Sequence, residues 1–298
     1  MIRFGIHALQ MDMLIPQGMT PEEALVHIGS FDHADHVRSL WEQGFNPVEL
    51  GGDLALFLPH TFQPNAIERL AALKAETGVT YTVHLPLWSV EPSTPLKPVR
   101  DGSAQALVDC IKATLPLEPE VYVLHATGAL SAEFYRMQIP EIARMFLLRQ
   151  FQTGANESIQ KILAETGIPG RQLAIETIEF PFELTLELAE ELDLSICFDT
   201  GHVLVGFSGP TDFFEALTLV LPRLAEVHLH DGPWQGSERK IGYGKDHQAL
   251  GKGDLDVGRL LDQLAAAQFD GPVIFELSTA EAVESLEIIG KLRPEVLS

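Results

Sequence analysis

Residues 194–202 read Leu-Ser-Ile-Cys-Phe-Asp-Thr-Gly-His, a mostly apolar run that stops at a carboxylate, Asp199, with an imidazole, His202, three residues on. The plan recurs. Thr82-Val83-His84, Leu124-His125, Ala174-Ile175-Glu176, Val227-His228-Leu229-His230-Asp231 and Phe275-Glu276 each run apolar and then offer an imidazole or a carboxylate. Short β-branched stretches at Arg3–His7, Pro47–Gly51, Thr80–Leu85, Val121–His125, Gln172–Thr177, Leu194–Asp199, Ala225–His230 and Pro272–Leu277 read as eight strands. Segments of helical period lie between them, at His33–Gln43, Asn65–Glu76, Ala104–Thr114, Pro140–Glu165, Glu183–Glu191, Thr211–Leu221, Val257–Gln268 and Ala280–Arg293. In Asn65–Glu76 the stripe is Ile67, Leu70, Ala71 and Leu73. Continuous apolar strands suit a parallel sheet covered on both faces. The alternation predicts an α/β fold, a (β/α)8 TIM barrel filling residues 1–298 as one domain. An open doubly wound sheet is the rival, but no G-x-G-x-x-G opens the first helix.

In such a barrel the strand ends converge on one mouth. Charged groups beside a core need hydrogen bonds, one another or a metal. One histidine at a strand end is ordinarily just hydrogen-bonded, and one glutamate is ordinarily a structural ion pair. Six consecutive strands ending this way point instead to a shared divalent ion. Imidazole mixed with carboxylate suits Zn²⁺, Mn²⁺ or Fe²⁺.

Composition narrows the partner. Lys and Arg number 20 against 42 Asp and Glu, a formal charge of −22, so nucleic acid and anionic membrane are not expected as partners. Two cysteines make no disulfide framework, no stretch of 18 apolar residues occurs, and the N-terminus lacks the order of a signal peptide, so the cytoplasm is expected. Longer loops are expected at Ala8–Asp32, Leu87–Asp101 and Asp231–Asp256. The stretch Glu238–Lys252 carries Arg239, Lys240, Lys245 and Lys252, a local positive excess after the seventh strand, where barrels often bind phosphate. These residues predict a small anionic substrate. Trp88 and Trp234 fall in mouth loops and are candidates for stacking on it. His7 and Glu49 are candidates for orienting the substrate or the metal ligands.

Phe198-Asp199-Thr200-Gly201-His202, Val227-His228-Leu229-His230-Asp231 and His247-Gln248-Ala249-Leu250-Gly251-Lys252-Gly253 resemble the xylose-isomerase-like barrel superfamily, which includes endonuclease IV and the sugar isomerases and epimerases. The resemblance spans essentially the whole chain. It implies Glu176, Asp199, His228 and Glu276 as a central metal quartet. The endonuclease-like branch adds His84 and His125 for one further ion, and His202 and His247 for another. That branch places an Asp two residues before the last His; here Lys245 stands there, with Asp246 beside it, and Asp231 or Asp246 is a candidate substitute. One to three ions follow.

Two chemistries remain. Several ions favour a metal-dependent phosphodiesterase on a small molecule, compatible with the corrinoid (cobamide)-remodelling branch. One ion on the quartet favours a sugar or sugar-phosphate isomerase or epimerase, with Glu176 and Glu276 as paired acid and base. Eight matching ligand positions put the phosphodiesterase first; an abasic-site DNA endonuclease is disfavoured by charge.

Overall fold

The computed structural model describes residues 2–8, 18–236 and 241–297. Eight parallel strands, β1 (Arg3–His7), β2 (Val48–Gly51), β3 (Tyr81–His84), β4 (Tyr122–Leu124), β5 (Leu173–Glu176), β6 (Ser195–Asp199), β7 (Leu224–Leu229) and β8 (Pro272–Phe275), close in chain order into a barrel. The expected strands are therefore present, most of them a residue or two shorter. Helices α1 (Pro21–Ser30), α2 (His33–Glu42), α3 (Leu54–Phe57), α4 (Pro64–Thr77), α5 (Lys97–Thr114), α6 (Ala129–Arg136), α7 (Glu141–Thr166), α8 (Phe182–Glu191), α9 (Thr200–Leu204), α10 (Phe213–Val220), α11 (Val257–Ala266) and α12 (Thr279–Leu292) connect them.

The two-residue repeat of a strand explains the layers. Tyr81, Val83, Tyr122, Leu124, Ile196, Phe198, Val227, Leu229, Val273 and Phe275 belong to the large apolar core shared with the helices. The alternate positions Val123, Ala174 and Cys197 form a separate small cluster. Thr82 on β3 donates to Glu226 on β7 at 3.1 Å, which places both inside the barrel. Continuing that parity by two residues carries the chain from Thr82 to His84, Val123 to His125, Ala174 to Glu176, Cys197 to Asp199 and Glu226 to His228. The polar ring thus follows from strand period. Gly5 is required where β1 crosses the Pro47 carbonyl, because a β-carbon there would overlap it and Ile274.

Two expected loops hold helices. Within Ala8–Asp32, Thr20 and Glu23 form a reciprocal capping box and Pro21 opens α1. Within Leu87–Asp101, α5 begins at Lys97, seven residues before the expected start. No helix among the described residues is long and apolar enough to cross a membrane.

Candidate metal centre

Glu176 is the hub. Its Oε2 lies 3.1 Å from His84 Nε2 and 2.9 Å from His125 Nε2, and its Oε1 lies 2.9 Å from His202 Nδ1. Burial by itself would raise this carboxyl, but the His125 charge and the hydrogen bonds of His125, His202 and His84 hold it well below the usual carboxylate range. Asp199 is fully buried. Its Oδ1 accepts the His202 amide at 2.6 Å, capping α9, and its Oδ2 lies 2.9 Å from His230 Nε2 and 3.1 Å from His202 Nδ1. Burial opposes ionisation there too, yet neighbouring His202 and His230 bring Asp199 down to about 2. Burial likewise pushes His84 down, and its bond to Glu176 with the nearby Glu49 more than reverses this, to about 9.

At the centre stands His228, buried and without a hydrogen bond at either ring nitrogen. Its Nδ1 faces three carboxylate oxygens, Glu276 Oε1 at 3.5 Å, Glu176 Oε2 at 3.6 Å and Asp199 Oδ2 at 3.7 Å. Ligand atoms bound to one ion at ~2.1 Å sit roughly 3.0–3.5 Å apart. The spacing is too long for hydrogen bonds and close to that of four atoms around one cation. A buried nitrogen without a partner, aimed at three carboxylates, therefore fits a divalent ion held by Glu176, Asp199, His228 and Glu276. His84, His125 and Glu176 form a second group with ligand atoms within 4.8 Å of one another, and His202, His230, His247 and Glu276 form another.

Behind His228, its Nε2 lies 3.4 Å from Glu49 Oε2 and 3.9 Å from Glu226 Oε1. Glu49, a candidate for orienting the substrate or the metal ligands, therefore lies behind His228 inside the barrel. Glu226 was not anticipated; a charged residue in mid-strand, two before a ligand, is the signal that marks it. His230 is likewise absent from the expected ligands, although it closes the run Val227-His228-Leu229-His230. His7 lines the cavity beside Glu276.

The mouth is a cavity of about 640 Å³, lined by His84, His125, Glu176, His202, His247 and Glu276 among others. Trp88 lines it as well, with its backbone amide and that of Leu87 held by buried Asp53 at 3.3 and 2.9 Å. Asp246, one of the two candidate substitutes, sits at the cavity, its Oδ2 3.0 Å from His247 Nδ1 and 3.3 Å from His202 Nε2. Asp231 does not. Its carboxylate is fully buried and accepts four backbone amides, those of Gly232, Leu255, Gly251 and Gly253, at 2.8 to 3.0 Å.

That knot turns the basic residues outward. Lys252 pairs with Glu284 of α12 at 2.9 Å, Lys245 is exposed, and neither lines the cavity. Arg239 and Lys240 lie outside the described residues. Trp234 lines a separate groove with Phe213, Phe214 and Asp254. Of the substrate-binding candidates, the structure thus brings Trp88 to the cavity and Glu49 beneath it, and leaves Lys245, Lys252 and Trp234 away.

The chain belongs to the xylose isomerase-like TIM barrel family, whose model matches residues 37–292. It is 26% identical to the uncharacterized protein MJ1311 of Methanocaldococcus jannaschii, over 97% of this chain and 88% of that one. Among solved structures, a D-tagatose 3-epimerase-like protein superposes with a TM-score of 0.69 at 21% identity, covering 99% of this chain and 98% of the other. Endonuclease IV from Thermus thermophilus superposes at 0.60 with 18% identity, covering 98% and 99%. Others with this fold are a 3-keto-D-glucoside 4-epimerase, an L-ribulose 3-epimerase and a D-allulose 3-epimerase. The expectation of a phosphodiesterase is corrected here: sugar epimerases predominate among these neighbours. Two of the side chains that suggested a phosphoester, Lys245 and Lys252, also lie off the cavity.

Proposed function

We propose that the protein is a divalent-metal-dependent isomerase or epimerase of a sugar or sugar phosphate. The observation that carries this reading is the pair Glu176 and Glu276, whose oxygens lie 3.6 and 3.5 Å from the same buried nitrogen of His228. An ion bound by Glu176, Asp199, His228 and Glu276 supplies a Lewis acid for a substrate carbonyl; Mn²⁺, Zn²⁺ and Fe²⁺ all suit the donors.

The chain's own groups account for the proton. One carboxylate of the pair accepts it from the carbon next to the carbonyl. For inversion the other carboxyl takes a substrate hydroxyl proton and delivers it to that carbon from the opposite face, while the first returns its proton to the oxygen. Delivery by the first to the neighbouring carbon, with the hydroxyl proton passing between the two oxygens, instead moves the carbonyl. No water is consumed and the atoms balance. Both carboxyls are held below the usual range: burial opposes ionisation, but the imidazoles overcome it, His125, His202 and His84 for Glu176, His228 and His247 for Glu276. Each therefore starts as a base. Trp88 and the roughly 640 Å³ cavity provide a partly apolar chamber in the size range of small-molecule sites.

The test is exchange. Protein with added Mn²⁺ is incubated with a panel of ketoses, aldoses and their phosphates in D₂O. Deuterium entering the carbon beside the carbonyl, with a new isomer by chromatography, supports the reading. Phosphate release or ester cleavage without exchange overturns it.

A further inference from the structure

A second, smaller cavity of about 320 Å³ adjoins the mouth and shares Leu87, Trp88 and His125 with it. Its polar residues include Glu91 and Glu179. We infer that this side pocket, through Glu179 and His125 Nδ1, accepts from neighbouring hydroxyls at the far end of an unphosphorylated sugar. The substrate identity rests on the isomerase reading; the pocket itself does not.

Four observations carry it. His125 spends Nε2 on Glu176, yet its Nδ1 is buried and makes no hydrogen bond, in a side chain only 9% exposed. Glu179 Oε2 lies 3.9 Å from that nitrogen, too far for a hydrogen bond. With the ring proton on Nε2, which donates to Glu176, Nδ1 is an acceptor, so two neighbouring sugar hydroxyls suit the pair, one donating to Nδ1 and one to the carboxylate. The backbone supports the placement: Glu179 has φ +57°, a conformation that costs a non-glycine residue energy, and its carbonyl accepts from Ser131 Oγ at 2.5 Å and Thr127 Oγ1 at 3.4 Å. Glu91 is pinned as well, its amide donating to Ser103 Oγ at 2.9 Å and its carboxylate accepting from Ser93, where a β-carbon on Gly128 would overlap it.

The chemistry sets the ligand class. Two carboxyls offer acceptors, which match hydroxyl donors. A phosphate group is itself an array of acceptors and is refused. With its carbonyl end at the quartet, a six-carbon sugar is expected to carry its terminal hydroxyls into the side pocket that Trp88 shares with the mouth, and a four-carbon sugar to fall short of it.

The experiment uses the metal-loaded full chain with D-fructose and its C3 and C4 epimers, the corresponding 6-phosphates, D-erythrulose, and the non-reacting hexitol sorbitol. The variants are Glu179→Gln, which keeps the shape, and Glu179→Gly, which relieves the backbone and so retains the fold. Expected is at least a tenfold preference for ketohexose over its 6-phosphate in kcat/KM. Both variants raise KM for ketohexose about tenfold, leave D-erythrulose within threefold, keep kcat within threefold and retain wild-type metal content. A preference for the phosphate overturns the inference, as does an equal effect on both chain lengths. So does metal lost in parallel with activity, which makes Glu179 only a support for His125. If the wild type turns over no ketose, the isomerase reading fails by itself; sorbitol binding by calorimetry then decides the pocket, weakened fivefold or more in Glu179→Gln if the inference holds and unchanged if it does not.

Discussion

The rings of His230 and His247 lie flat on each other, centroids 4.2 Å apart and planes 7° from parallel, and the His247 amide donates to His230 Nδ1 at 2.8 Å. That bond leaves the ring proton on Nε2, which donates to Asp199 Oδ2 at 2.9 Å. His230 thus ties the connection after β7 to Asp199, a carboxylate of the candidate metal quartet. It also holds His247, at φ +55°, over the cavity. Replacing His230 with Asn, which cannot span both partners, is expected to lower metal affinity roughly 10–100-fold and to reduce activity in parallel. Metal titration followed by assay at saturating Mn²⁺ checks this. Unchanged affinity removes the positioning role.

Glu176→Gln is expected to abolish deuterium exchange, a loss on the order of 10²–10⁴-fold for the proton-transfer role by itself. In the metal-free protein it is also expected to destabilise, by about 3 kcal/mol, because His84, His125 and His202 lose the shared negative charge and one of its two acceptor oxygens. Thermal unfolding in chelator checks the sign. A rise in Tm would mean that repulsion among the carboxylates dominates the site.

Removing the ion is expected to stop turnover without unfolding the barrel, since the core is an apolar cluster independent of the ligands. At an ion concentration ~100 times Kd, the bound form gains about 2.7 kcal/mol. Chelated protein should keep its far-ultraviolet spectrum, lose several degrees in Tm, and recover activity on adding Mn²⁺, Zn²⁺ or Fe²⁺. Full activity in chelator contradicts the site assignment.

Acid stability has a separate source. His33 is buried between Phe31 and Phe62, away from the mouth, and burial lowers it from 6.5 to about 4. The folded state holds it neutral while the unfolded chain protonates near 6.5, so stability present above that pH is lost as pH falls toward 4. The loss is about 3 kcal/mol. His33→Phe should flatten this part of the pH–stability curve, measured by urea midpoints. An unaltered slope would place the acid sensitivity elsewhere.

Asp53→Ala should free the Leu87 and Trp88 amides, with an expected cost of about 1–3 kcal/mol and a several-fold rise in KM. Trp88 fluorescence should shift red as the indole leaves Phe57, against which it packs edge-on at 5.6 Å. An unshifted spectrum with unchanged KM would show that Trp88 is held by the rim alone.

The barrel and the polar ring at its mouth were legible in the residues alone. Strand period makes every second residue face inward, so apolar runs ending in His84, Glu176, Asp199 and Glu276 can deliver those side chains only to one mouth. Helix α1, which the Thr20–Glu23 capping box opens, lies inside a stretch expected as loop. Tertiary structure decided the rest, where side-chain direction depends on how a loop folds back. In the connection after β7 the buried Asp231 carboxylate gathers the amides of Gly232, Gly251, Gly253 and Leu255. That gathering sends Lys252 to Glu284 and leaves Asp246 on His202 and His247. Basic residues close in sequence therefore supply no common patch at the cavity among the described residues. Loop residues carry no period that would have announced it, because their orientation is set by hydrogen bonds to a residue many positions away.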